Sequence, residues 1–95
     1  MSEALEEDAL QLALAALPAW SLKDDKLVRR FVLGDFREAM SFLIRVAFEA
    51  EALGHHPEIY NVYKTVELAL TTHDAGNKVT VKDVELAATI DAFLG

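Results

Sequence analysis

The chain has 95 residues, 53% of them hydrophobic, and a formal net charge of −7. That length is one domain, residues 1–95, and the acidic balance opposes nucleic-acid phosphates and anionic lipid, so direct binding to either is not expected. The absence of cysteine excludes a disulfide framework and thiolate chemistry and suits the cytoplasm, and the longest apolar run, broken by Pro18, falls short of the ~20 residues that a bilayer span takes.

Residues 2–17 carry Leu5, Ala9, Leu12, Ala13 and Ala16 at helical spacing, which predicts a first helix with one apolar side. Ser2 is its expected cap, Glu3, Glu6 and Glu7 sit where the positive end of the dipole favours them, and Pro18 closes it. The same stretch, "MSEALEEDAL", is acidic where a secretory signal is basic. In "WSLKDDKLVRRFVL", Trp20 and Leu22 alternate with Ser21 and Lys23, and Leu27, Arg29, Phe31 and Leu33 alternate with Val28, Arg30 and Val32. A hairpin turning at Asp24-Asp25 is expected there.

Gly34 breaks the strand, and Asp35 is a good N-cap for "FREAMSFLIRVAFEAEAL". Glu38, Ser41, Arg45 and Glu49 form one narrow polar stripe on this helix, and nearly everything else is apolar. A helix with so narrow a wet face is covered on more than one side, which a single sheet cannot do. Phe42 and Phe48 are its expected contacts with the same helix of another subunit.

Gly54 ends that helix, His55 and His56 follow at once, and Pro57 forbids a return to helix. "EIYNVY" and "TVELALTT" read as two strands with a turn near residues 61–65. Val66, Leu68 and Leu70 share one face of the second; Glu67, Ala69 and Thr71 share the other. After the loop "HDAGNK", Thr80 caps a last helix, Asp83 is its capping-box acid, and Leu86, Ala87, Ile90 and Leu94 give it a buried face. The element order is therefore α-β-β-α-β-β-α. Strands joined by short turns pair antiparallel, so the expected fold is α+β: a four-stranded antiparallel sheet with three helices on one face.

The chain has three histidines, His55, His56 and His73. The helix dipole favours a histidine at a helix C-terminus, which accounts for one of them and not for an adjacent pair followed by Pro57. A turn at Lys64-Thr65 sets His56 opposite His73; a turn nearer Val62-Tyr63 offsets them by about three residues, ~10 Å along the strand. Either way the imidazoles gather at one end of the hairpin, within reach of a small bicyclic ligand. Adjacent residues on an extended strand aim apart and no histidine pair stands at i, i+4, so the spacing argues against zinc. Ser21 and Ser41 lack the context of a nucleophile. General acid–base chemistry on a neutral organic ligand fits best, because imidazole changes charge near neutral pH. Glu51, one helical turn before His55, is placed to orient or charge one of the rings.

"EALGHHPEIYNVYKTVELALTTHDAG", residues 51–76, resembles the signature of the pterin-4a-carbinolamine dehydratases. Trp20, Asp35-Phe36, "RVAFEAE" and Asp83 fit the same family, and the similarity covers most of the chain. The resemblance implies an enzyme that dehydrates 4a-hydroxytetrahydropterin, released by aromatic amino acid hydroxylases, to quinonoid dihydropterin and water, with no metal or organic cofactor. It implies that His55, His56 and His73 line the pterin site, His55 and His73 in proton transfer and His56 holding the substrate. It places Glu51 in support of the imidazoles, Pro57 among the substrate-binding residues, and Trp20 and Asp83 at the site's edge; taken alone, Glu51 reads as a solvated helix residue and Trp20 as a core anchor, while Asp83 reads equally as a helix cap. A cytoplasmic homotetramer, a dimer of dimers, is implied as well. The loop from His73 to Asp83 is one residue longer than the family's usual type, so residues 74–79 are where the site could depart from it. Some relatives are non-catalytic binding modules, acting as a coactivator or an assembly factor; retention of all three histidines favours catalysis.

Overall fold

The computed structural model describes residues 3–94, so Ser2, the expected first cap, lies outside them. The elements are α1 (Glu7–Ala16), β1 (Ser21–Lys23), β2 (Lys26–Val32), α2 (Phe36–Leu53), β3 (Glu58–Val62), β4 (Thr65–Leu70) and α3 (Val81–Leu94), with a short 3-10 turn at His73–Ala75. The strands form one antiparallel sheet in the order β1-β2-β4-β3. This is the expected α+β order.

Both hairpins turn on residues other than glycine. Asp24 and Asp25 take φ of 52° and 60°, the double left-handed turn whose twist matches the strands it joins. Aspartate tolerates that region because its short side chain can bond locally. The second hairpin pivots on Tyr63, φ 52°, with Val62 opposite Thr65. Asn61 Nδ2 pins this turn by donating to the carbonyls of Tyr63 (3.1 Å) and Thr65 (2.9 Å). The turn is thus Tyr63-Lys64, between the two positions expected. Continued past the Glu58–Ala69 pair, this register sets His55 level with Thr72 and His56 level with Thr71. The expected pairing of His56 with His73 does not occur.

Leu27 and Phe31 of β2 and Val66, Leu68 and Leu70 of β4 point to one face and are buried against Ala39, Phe42, Val46 and Ala50 of α2 and Leu86, Ala87 and Ile90 of α3. Burying each large side chain contributes ~1.5–3 kcal/mol. On the other face Arg30, Glu67 and Tyr60 stand in one exposed row.

Four sequence assignments change. Phe42 stacks at 4.7 Å from Phe31 and 5.9 Å from Phe93, so it belongs to this chain's own core and is not a subunit contact. Phe36, Ile44 and Phe48 remain exposed, Phe48 by 71%. In α1 the packed side is Leu10 and Leu14, followed by Leu17, while Ala9, Leu12 and Ala16 face outward. The helix begins only at Glu7, because Leu5 N–H donates to the Val79 carbonyl (2.9 Å) and holds the preceding chain against the loop. At the end of α3, Phe93 packs against the core and Leu94 is exposed.

Candidate active site

The site is assembled where α2 stops. Gly54 takes φ 66°, a left-handed conformation that an L side chain adopts only at a cost of ~1–2 kcal/mol. Its N–H donates to the Glu51 carbonyl (3.1 Å), and the N–H of His55 donates to the Ala50 carbonyl (3.0 Å). These two bonds are the Schellman closure. They fix the His55 backbone directly on the helix end, so its side chain leaves the helix at a set angle.

That side chain meets a buried acid. His55 Nε2 lies 2.5 Å from Asp83 Oδ1, with side-chain exposures of 11% and 0%. Asp83 stands in the first turn of α3, where the helix dipole favours a negative charge. Its Oδ2 accepts the Thr80 N–H (2.9 Å) and the Thr72 hydroxyl (2.8 Å), so the capping-box acid expected from the sequence reaches back to the cap residue and is joined there by Thr72, two residues past β4. Asp83 therefore lies behind the site as a fully buried anchor, not at its edge.

His56 faces the other way. Its Nε2 lies 2.8 Å from Glu51 Oε1, and both side chains are mostly in solvent. Such an exposed pair contributes little to stability, ~0–1 kcal/mol. His73 opens the 3-10 turn beyond β4. The loop behind it is short-circuited: Thr72 N–H donates to the Lys78 carbonyl (3.0 Å), and Gly76 and Asn77 turn back with φ of 76° and 60°.

A cleft of ≈ 320 Å³ is lined by His55, His56, His73, Gly54, Thr71, Thr72, Asp74 and Lys82, and it brings all three histidines together. Pockets for small organic molecules start at about this size. A second cleft of ≈ 250 Å³ shares His56 and is formed by Glu51, Pro57, Ala47, Ala50 and Ile59. Glu51 and Pro57 thus border the neighbouring cleft rather than the one that holds all three rings. Trp20 lines neither. It is buried, edge-on to Phe31 at 6.0 Å, and its Nε1–H donates to Asp91 (2.8 Å), which also accepts from Arg29 (2.6 Å). It is a core anchor, as the residue alone suggests, and not at the edge of either cleft, where the resemblance would set it. Thr72 and Lys82 were not picked out from the sequence; the Thr71-Thr72 pair ending a strand just before His73 was the available signal. Among the described residues, no group of three or more His, Cys, Asp or Glu side chains is arranged to hold a metal ion, and no helix is long and apolar enough to cross a membrane.

The family model for "Pterin 4 alpha carbinolamine dehydratase" matches residues 3–93. A protein of Opitutus terrae that carries a pterin-4-alpha-carbinolamine dehydratase name is 54% identical over 87 residues, covering 92% of this chain and 90% of its own. One of Chloroflexus aurantiacus with the same name is 50% identical over 91 residues, covering 96% of this chain and 97% of its own. A crystal structure described as a transcriptional coactivator/pterin dehydratase from Brucella melitensis superposes with a TM-score of 0.92 at 37% identity, covering 98% of this chain and 100% of that one.

Proposed function

The chain belongs to the pterin 4 alpha carbinolamine dehydratase family, and from that premise we propose that it converts 4a-hydroxytetrahydropterin to quinonoid dihydropterin and water. The observation that supports this most is the meeting of three imidazoles on one small cleft, one of them seated on a buried carboxylate. In the reaction the C4a–O bond breaks, and the electron pair of the N5–H bond forms the C4a=N5 double bond. The N5 proton passes to a base, and the hydroxyl takes a proton from an acid and leaves as water. Hydroxide is a poor leaving group unless protonated, so an acid and a base that both work near neutral pH serve one step, each contributing ~10²–10⁴ in rate. His55 and His73 fill those two roles, and His56 holds the substrate from the wall shared with the second cleft. Glu51 and Pro57 border the substrate from that second cleft. The test is consumption of the carbinolamine above its spontaneous rate.

This division predicts that His56→Ala raises KM more than it lowers kcat, with thermal stability within ~0.5 kcal/mol of the parent because the ring is exposed. Steady-state kinetics over a range of pterin concentrations, with a parallel melting curve, checks it.

The functional unit in this reading is one dehydratase-like domain over residues 1–95, working in the cytoplasm as a homotetramer, a dimer of dimers. Phe36, Ile44 and Phe48, exposed along α2, support a second copy of the chain as their cover. Light scattering is expected to give a multiple of the 10.5 kDa chain mass, and Phe48→Asp to lower it. A one-chain mass for the parent at micromolar concentration would refute the assembly. A second reading, a binding module that keeps the fold without turnover, draws on the Brucella melitensis description as a coactivator; it predicts no acceleration at all.

A further inference from the structure

The hydrogen-bond chain behind His55 has only one consistent direction. Thr72 Oγ1 lies 2.8 Å from Asp83 Oδ2 and 2.7 Å from Thr80 Oγ1. A hydroxyl has one proton and an ionised carboxylate only accepts, so the Thr72 proton goes to Asp83. The contact between the two threonines must then use the Thr80 proton, donated to Thr72. Thr80 Oγ1 in turn accepts the Lys82 backbone N–H (3.2 Å). Thr72, Thr80 and Asp83 are all buried, and none of their side-chain polar atoms lacks a partner. Water therefore does not compete with the chain, and its members rigidify one another.

With two donors already on Oδ2, the carboxylate presents Oδ1 to His55. Nε2 of His55 must carry a proton to make that bond, which leaves Nδ1 as the nitrogen able to exchange a proton with a ligand. We propose that Thr72, itself oriented by Thr80, is a positioning residue that fixes His55 in the Nε2–H tautomer by holding the Asp83 carboxylate in place. Thr72 does this from two residues past β4, through Asp83, and need not touch the substrate. The kinetic consequence rests on the dehydratase reading; the tautomer does not.

The experiment uses the full chain labelled with ¹⁵N in its histidines, in ligand-free solution at a pH where imidazole is neutral. The parent is expected to show His55 protonated at Nε2 and bare at Nδ1, with an Nε2 proton that exchanges slowly with water. In Thr72→Val that proton exchanges faster and the tautomers mix, and kcat falls ~10-fold at unchanged KM, as loss of one hydrogen bond to a charged group implies. Thr72→Ser, which keeps the hydroxyl, restores both. A parent His55 protonated at Nδ1 overturns the proposal without any variant. So does a folded Thr72→Val with the parent's tautomer and kcat, or a defect that Thr72→Ser leaves uncorrected. If the tautomer responds as expected while even the parent fails to consume the carbinolamine, the Thr72 assignment stands and the dehydratase reading falls.

Discussion

His55→Ala and His73→Ala are each expected to lower kcat by ~100-fold or more, because in the proposed reaction each gives or takes a proton in the transition state. The two variants should differ in stability. His73 is exposed at the start of the 3-10 turn, so its removal leaves the fold within ~0.5 kcal/mol of the parent. His55 is largely covered, and its loss strips one donor from the fully buried Asp83. That carboxylate is then short of a partner, at a cost of ~1–3 kcal/mol. Single-turnover kinetics paired with urea denaturation separates the two effects. A His73→Ala protein that unfolds while the surviving folded fraction turns over normally would make His73 a structural histidine.

The largest expected loss of stability is at Asp83. Its side chain is fully buried and takes three hydrogen bonds, from His55, Thr72 and the Thr80 N–H. Asp83→Ala removes the capping-box acid of α3 and leaves those three donors without an acceptor. Leaving three donors unpaired in this way costs ~1–3 kcal/mol each, in sum a large share of what holds so small a domain together. Thermal unfolding should shift down by well over ~10 °C. Asp83→Asn keeps the shape and one acceptor, so it should fall between the parent and Asp83→Ala. An Asp83→Ala melting curve that overlays the parent would show that the capping network contributes nothing to the fold.

The elements were readable because their signals are local. The period-two alternation of β2 and β4, the Asp35 cap and the Gly54 stop all act within a few residues of where they are seen. The gathering of the three histidines was readable for the same reason, since each stands at the same end of the second hairpin. The exact register was not, because it depends on Tyr63 accepting a left-handed turn that the Asn61 side chain holds by hydrogen bonds to the carbonyls two and four residues on, which leave no mark on the hydrophobic pattern. The two faces of α2 were equally opaque. Phe42 and Phe48 are alike in sequence, and only the placement of Phe31 and Phe93 against the helix makes one of them core. Trp20 reads as a core anchor from the residue alone, but its partner Asp91 stands 71 residues away, and nothing near Trp20 announces it. Asp83 was visible as a cap, but its bond to His55 joins the end of one helix to the start of another, which no spacing rule foretells.

Dehydration by the three-histidine cleft is tested most directly by following 4a-hydroxytetrahydropterin, generated in place by an aromatic amino acid hydroxylase, with and without this protein. The expected result is a loss rate that rises in proportion to added parent protein and returns to the spontaneous rate with the His55→Ala, His73→Ala double variant. A parent protein that leaves the spontaneous rate unchanged at micromolar concentration would contradict it and leave a binding module in the enzyme's place.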